Sequence, residues 1–397
     1  VAVHNQGPEV TRRDSVALAL GAVGALAAAG RAHAGEAVGS EAVDALGKKI
    51  VDDRLSPSVA IGVMKGGKMI YAKAFGSMNL ETGTPATADT IYKIGSNTKQ
   101  FTAACILLLQ EAGALSIDDP LSKHLPDFPH AAEVTLRQML THTSGLGNFT
   151  NTHPPDKIVQ MSRLDYDQAS LLAAMAATDP LFVAPPGTAW SYSNTAYVLL
   201  GIVVEKVSGV SLAKFLKTRI LDPRGLSDTA KDDVTEVLPR RASGYEPHLG
   251  SATLFDNCSF ESMSIPGGAG AMRSTVLDLC AWHAALFGGK VISPASLTAM
   301  TTPGRLKDGG QPFSIAKPGA PAEAMNYGFG LFLDPFEGHR SVSHSGGISG
   351  FQSFLQTLPA ERVSFAILLN SIGPGRPARV PVLKQLEETC ARFGLGA

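Results

Sequence analysis

Ser96 and Lys99 lie three residues apart in IGSNTKQFTAACILLLQEAG, residues 94–113. A Gly-Ser turn opens there into an apolar run from Ala103 to Leu109, the pattern of a buried helix, which Gly113 then ends. Residues three apart on a helix project from one face, so the spacing sets an amine beside an alcohol. A serine hydroxyl is a poor nucleophile at neutral pH until a base takes its proton, and the free N–H groups of a helix start favour negative charge. The chemistry on offer is attack by an activated alcohol. Ser-x-x-Lys alone does not decide this, because it recurs at Ser211/Lys214 and Ser314/Lys317. The former falls on the amphipathic segment SLAKFLKTRI and the latter in a Pro- and Gly-rich loop, so both read as solvated polar residues. Only Ser96 has a buried helix behind it.

Two further groups carry chemistry. Tyr192 and Asn194 stand at the mouth of a helix in PPGTAWSYSNTAYVLLGIVVEKVSG, and they form the one Tyr-x-Asn of the chain. A phenol held there near a lysine would be stabilised as the phenolate and shuttle protons, while the carboxamide orients a carbonyl or the lysine. The plainer reading is a helix cap by Ser193 or Asn194 with Tyr192 as packing. His344-Ser345-Gly346-Gly347 lies on a short strand. Its glycines admit a close approach, and a free N–H there, with that of Ser96, would form an oxyanion hole. The plainer reading is a tight turn with a surface histidine. SHSGG is one residue short of a Gly-x-Ser-x-Gly elbow, so Ser345 is discounted as a nucleophile. His142, in the turn HTSGL, reads as structural.

The elements that must hold these residues are written in the periodicity. A polar helix runs to about Asp53, and then Val59, Ile61 and Val63 alternate before a Gly66-Gly67 turn and a returning strand from Met69 to Phe75. Near the other end, Phe351 to Leu358 and Val363 to Leu369 alternate again, and a helix comes next from about Val380 to Phe393. The expected fold class is α+β: one antiparallel sheet built from both chain ends and flanked by the terminal helices and the helix after Ser96. Residues 115–266 read as an inserted, mainly helical region, with sheet regions at 35–114 and 267–397 and a cleft between them.

A chain of 397 residues with 44% hydrophobic and 17% charged residues can bury a large core. A formal net charge of −1 supplies no basic field for nucleic acid, and no basic cluster succeeds a hydrophobic helix as a membrane anchor requires. Residues 1–34 read as an export signal: Arg12-Arg13 precede a weakly apolar run from Val16 to Ala29, and Ala32-His33-Ala34 offers a cleavage site. The paired arginines are twin-arginine-like, and Asp14-Ser15 keep the general secretory route open. The mature protein is therefore expected to be periplasmic or secreted. Four scattered cysteines, Cys105, Cys258, Cys280 and Cys390, form neither a disulfide scaffold nor metal-ligand spacing.

Taken in order, Ser96-x-x-Lys99, Tyr192-x-Asn194 and His344-x-Gly346 resemble the three motifs of the serine β-lactamase and penicillin-binding protein superfamily, class C-like branch. IYKIGSNTKQFTA, HTSGL, PPGTAWSYSN, ILDPRGLSDT and YGFGLFL extend the likeness over about residues 46–369. The resemblance implies that Ser96 is the acylated nucleophile and Lys99 its base or proton relay. Tyr192 then activates Ser96 and later the deacylating water, Asn194 holds substrate and Lys99, and Gly347 and Ser96 supply the oxyanion N–H groups. His344 takes the place of a lysine, and with Ser345 it would offer a titrating group and a small hydroxyl to substrate; Ser349 stands where an Asn is usual. These departures move the expectation from a strict lactamase toward an exported serine hydrolase of esters or D-amino-acid peptides, D,D-carboxypeptidase-like, working without metal or cofactor on a small-molecule or peptidoglycan-like substrate. A class C-like β-lactamase is the alternative, and a non-catalytic penicillin-binding or scaffold protein is the alternative of another class.

Overall fold

The computed structural model describes residues 39–149, 160–248, 250–251, 254–316, 320–372 and 378–396. The expected export segment and Lys317 lie outside the described residues. The longer helices are α1 (Ser40–Asp52), α2 (Thr98–Glu111), α3 (Asn194–Ser208), α4 (Val276–Phe287) and α5 (Arg379–Leu395). The main sheet has six strands: β1 (Ser58–Lys65), β2 (Lys68–Asn79), β3 (Thr84–Pro85), β4 (Val342–Ile348), β5 (Phe351–Leu358) and β6 (Val363–Leu369).

Their order across the sheet is β3-β2-β1-β6-β5-β4, so the first and last thirds of the chain meet at its centre. Strands β1 and β6 pair antiparallel with Ile61 opposite Ile367, which carries Val59, Ile61 and Val63 to the same face as Phe365, Ile367 and Leu369. The junction is fixed by Asn370, whose Oδ1 accepts from the Ser58 backbone N–H at 2.8 Å and the Ser58 hydroxyl at 2.7 Å. Helices α1 and α5 cover this face through Val43, Leu46, Ile50, Leu386 and Cys390. The α+β sheet built from both ends is thus the observed architecture.

The opposite face departs in one respect from expectation. The helix lying directly on β1 and β6 is α4, and not the helix after Ser96. Small residues on that face admit it: Gly62 passes so close that an added Cβ would lie 3.1 Å from Val276 Cβ, and Cys280 Sγ lies 3.5 Å from the Gly62 carbonyl oxygen. Helix α2, with Ala103, Ala104, Cys105, Ile106 and Leu107 all inaccessible to solvent, sits one layer deeper. Phe101 stacks on Trp282 of α4 at 4.1 Å, and α3 packs against the other side of α2. A helix apolar on all sides is stable only inside such a core.

The middle of the chain is less purely helical than its pattern predicts. Besides α3 and short helices at Leu136–Leu140, Gln168–Ala176 and Leu212–Leu216, it contributes Ala230–Lys231 to a small sheet with Tyr92–Lys93 and Met272–Ser274, and a hairpin of Tyr245–Pro247 with Phe255–Asn257. The four cysteines are free thiols. Among the described residues no single helix is long and apolar enough to cross a membrane.

Candidate active site

Ser96 sits in a 3-10 turn, Gly95–Asn97, that feeds directly into α2. It is partly exposed, whereas Lys99 one turn on is fully buried. Lys99 Nζ lies 3.0 Å from Ser96 Oγ, 2.8 Å from Asn194 Oδ1 and 2.9 Å from the Ala269 carbonyl oxygen. The rings of Tyr192 and Tyr197 flank it, with centroids 4.7 and 5.6 Å away. Those ring faces favour a cation, but desolvation outweighs them and pushes the amine well below its usual range. A neutral amine has two N–H donors and one lone pair. Asn194 Oδ1 and Ala269 O can only accept, so they take two of its donors, and once the amine is deprotonated its lone pair faces the Ser96 hydroxyl.

The Ser96 hydroxyl also acts on the Tyr192 phenol. Burial raises its phenol, and the Ser96 hydroxyl only partly offsets this, so the phenolate expected from sequence is disfavoured in the free site. The turn bearing it is braced from two directions. Ser193 caps α3, its Oγ accepting from the Ala196 N–H at 3.1 Å. His142 is fully buried: its carbonyl accepts from the Ser191 N–H at 2.8 Å, its Nδ1 accepts from the Ser193 N–H at 3.1 Å, and its ring packs 4.3 Å from that of Tyr192. Asn148, which the sequence does not single out, completes the brace; its Nδ2 donates to the Tyr192 carbonyl at 3.1 Å and its Oδ1 accepts from the Asn194 N–H. It stands in no motif, and a side chain serving two backbone groups more than forty residues away leaves no local signal.

The third motif forms edge strand β4, laid against the Ser96 turn with no room for side chains. A Cβ on Gly346 would lie 2.0 Å from the Ile94 carbonyl oxygen, and one on Gly95 would lie 2.8 Å from the Gly347 carbonyl oxygen. Gly95 also has φ +49, in the left-handed region. Two glycines therefore let the nucleophile's turn and the sheet edge meet backbone to backbone. Ser345 is partly exposed beside them.

His344 is placed differently from expectation. It is 1% exposed, and its Nδ1 faces the Ser345 carbonyl oxygen while its Nε2 lies 3.0 Å from Tyr327 Oη. A carbonyl accepts only, so Nδ1 carries the hydrogen and Nε2 accepts from the phenol. Burial pushes the imidazole down to about 3. It is a neutral positioning group at pH 7 and not a cation titrating in front of substrate. Ser349 likewise turns away, its hydroxyl donating to the Ser259 carbonyl at 2.9 Å. Ser211 caps the helix Leu212–Leu216, in line with its reading as structural.

The buried imidazoles give a pH dependence of stability. His283 is also pushed down to about 3 by burial, and His142 is lowered for the same reason. Unfolding restores an ordinary value of about 6.5, so below that pH the unfolded chain binds more protons. The contribution of these imidazoles is complete above about pH 6.5 and is lost toward pH 3, by up to about 1.4 kcal/mol per pH unit for each. Glu387, pushed up to about 8 by burial, acts in the opposite sense over the same range, so the test is a difference: between pH 7 and 5 the urea midpoint of wild type is expected to lose ground relative to that of His344→Asn, and midpoints that run parallel would contradict this burial.

The chain has relatives among known proteins. A family model described as Beta-lactamase matches residues 43–387. Penicillin-binding protein 4* of Bacillus subtilis (strain 168) is 32% identical over 302 residues, covering 73% of this chain; the chain spans 63% of the length of that relative. Among solved structures, the octameric penicillin-binding protein homologue from Pyrococcus abyssi superposes with a TM-score of 0.71 at 28% identity, covering 88% of this chain and 78% of that one. A D-stereospecific amidohydrolase from Streptomyces sp. superposes with a TM-score of 0.70 at 27% identity, covering 86% and 97%.

Proposed function

We propose that this chain, which belongs to the beta-lactamase family, is a serine hydrolase that cleaves an amide or ester through an acyl-enzyme on Ser96. The observation carrying the reading is a fully buried Lys99 amine, its affinity for the proton lowered by desolvation, 3.0 Å from Ser96 Oγ. As Oγ attacks the substrate carbonyl carbon, its proton passes to Lys99 Nζ, and the carbonyl oxygen becomes an oxyanion received by the N–H groups of Ser96 and Gly347. Collapse of that intermediate breaks the bond to the leaving amine or alcohol. The leaving group takes the proton from Lys99 through the Tyr192 phenol, whose ring lies against the amine with its centroid 4.7 Å away. Water then attacks the acyl carbon, giving one proton to the same relay, and the acid departs as Ser96 recovers its hydrogen. Asn194, whose Oδ1 is held by Lys99, presents its Nδ2 to the substrate carbonyl.

D-amino-acid amides and esters stand first as substrates. A neutral His344, 1% exposed, offers no fixed cation to the carboxylate of a β-lactam or a D,D-peptide, and the likeness to a D-stereospecific amidohydrolase covers 97% of that chain. β-Lactam hydrolysis is the second reading, favoured by the penicillin-binding relative. Export of residues 35–397 as one hydrolase domain, after removal of residues 1–34, belongs to the same proposal. Purified mature protein assayed on D-aminoacyl amides, D-Ala-D-Ala peptides, short-chain esters and a chromogenic cephalosporin, with intact-mass detection of adducts, tests it. Turnover of the first or third class is expected, with a Ser96 adduct. Folded protein that forms no adduct with any of them would favour a binding protein instead.

A further inference from the structure

A buried chain of polar side chains leads from α4 to the Ser96 turn, and none of its members has a part in the acyl-transfer steps. Trp282, His283, Gln100 and Asn97 are inaccessible to solvent and Ser353 is 1% exposed. Trp282 Nε1 donates to Gln100 Oε1 at 3.1 Å, and His283 Nε2 lies 2.7 Å from the same oxygen. Gln100 Nε2 donates to Asn97 Oδ1 at 2.8 Å, Asn97 Nδ2 donates to Ser353 Oγ at 2.8 Å, and the Ser353 hydroxyl donates to the Ile94 carbonyl at 2.7 Å.

The direction of this chain is not free. An indole N–H can only donate, so Gln100 must turn its oxygen to Trp282 and its amide hydrogens to Asn97. Asn97 must then accept with its oxygen and donate with its nitrogen. Ser353 already receives that donor, and so has its one hydrogen for Ile94. The polarity set by Trp282 is carried over four side chains to a single carbonyl oxygen, with every buried group satisfied on the way.

That carbonyl lies one residue ahead of the nucleophile's turn. Gly95, with φ +49, joins it to Ser96, and glycine places few limits on the rotation of the intervening peptide. Ser353 also pairs across the strands with Gly346, where an added Cβ would lie 2.4 Å from Ser353 Oγ. One hydroxyl therefore touches both halves of the place where the two oxyanion donors meet. We infer that Ser353, oriented by the Trp282–Gln100–Asn97 chain, is a positioning residue that holds the Ser96 N–H in register with the Gly347 N–H. The inference rests on the acyl-enzyme reading of Ser96.

A misplacement of about 1 Å at such a site can cost roughly 10²-fold in rate, and loss of one oxyanion donor costs about 10²–10³-fold. Ser353→Ala is expected to lower kcat by about ten- to a hundredfold with KM within about threefold. Affinity for a boronic acid, which adds to serine as a tetrahedral mimic, is expected to fall by the same factor. Ser353→Cys keeps the volume and a weak donor, and its loss is expected to be intermediate. Ile50→Val, in the cluster behind β1, is a destabilising control expected to keep wild-type kcat. A kcat for Ser353→Ala within about threefold of wild type, boronic acid affinity that stays unchanged, or an equal loss in Ile50→Val overturns the inference. Ser96→Ala separates the two levels: an active Ser96→Ala overturns the acyl-enzyme reading itself, whereas an inactive one beside a fully active Ser353→Ala overturns only the positioning role.

Discussion

Ser96→Ala is expected to abolish covalent labelling and to lower turnover by on the order of 10⁴-fold or more, while the protein still folds. Two features separate chemistry from stability here. The Ser96 hydroxyl is partly exposed, so its removal opens no core cavity. Its polar neighbours are Lys99 and Tyr192, and Lys99 keeps its two carbonyl acceptors on Asn194 and Ala269. Unfolding free energy should therefore stay within about 1 kcal/mol of wild type. Intact-mass analysis after incubation with an activated ester reads the adduct directly, and a labelled Ser96→Ala would place the nucleophile elsewhere.

Lys99→Met is expected to cost about 10³-fold or more in kcat/KM, since general-base assistance and the relay are lost together. The more discriminating variant is Lys99→Arg. A guanidinium carries a permanent positive charge, offers no free lone pair and does not deprotonate in proteins. If the residue acted as a fixed cation, arginine would restore activity; as a base, it restores none. The pH profile supplies the same test in the native chain. Burial lowers the Lys99 amine well below 10.5, so the reactive neutral form is lost only as pH falls through that lowered value. The acid limb of log kcat/KM should rise with unit slope well below pH 10.5 and be missing in Lys99→Met. The stability contribution has a matching sign: the unfolded chain holds the proton more tightly between the two values, so folding gains as pH rises toward 10.5.

The parts of this molecule that can be read from sequence are those written in local spacing. Ser96 and Lys99 share a helix face, Tyr192 and Asn194 flank a capping serine, and alternation in β1 and β6 marks strands that pair across the chain ends through their shared apolar face. The unread parts depend on what burial does to a group or on partners far away in the chain. Sequence suggests a phenolate at Tyr192 because a lysine is near, but it cannot show that the lysine is dry or that the phenol is buried. His344 looks like an exposed titrating residue until Tyr327 and the Ser345 carbonyl close on its two nitrogens. Asn148 and the Trp282–Gln100–Asn97 relay act through single hydrogen bonds to distant backbone or side-chain groups, and such contacts impose no periodicity. The helix on the second sheet face is illegible in sequence because α2 and α4 both carry a predominantly apolar body, and the close approach at Gly62 of β1 is what admits α4.

The bare seam between Gly95 and Gly346-Gly347 limits how this pocket can be remodelled. One wall consists of main chain pressed on main chain, so a methyl on Gly95 or Gly346 must pry the nucleophile loose before it can touch a ligand. Altered selectivity, whether arising by drift or in a mutant library, must accordingly come from positions outside both this seam and the reacting groups.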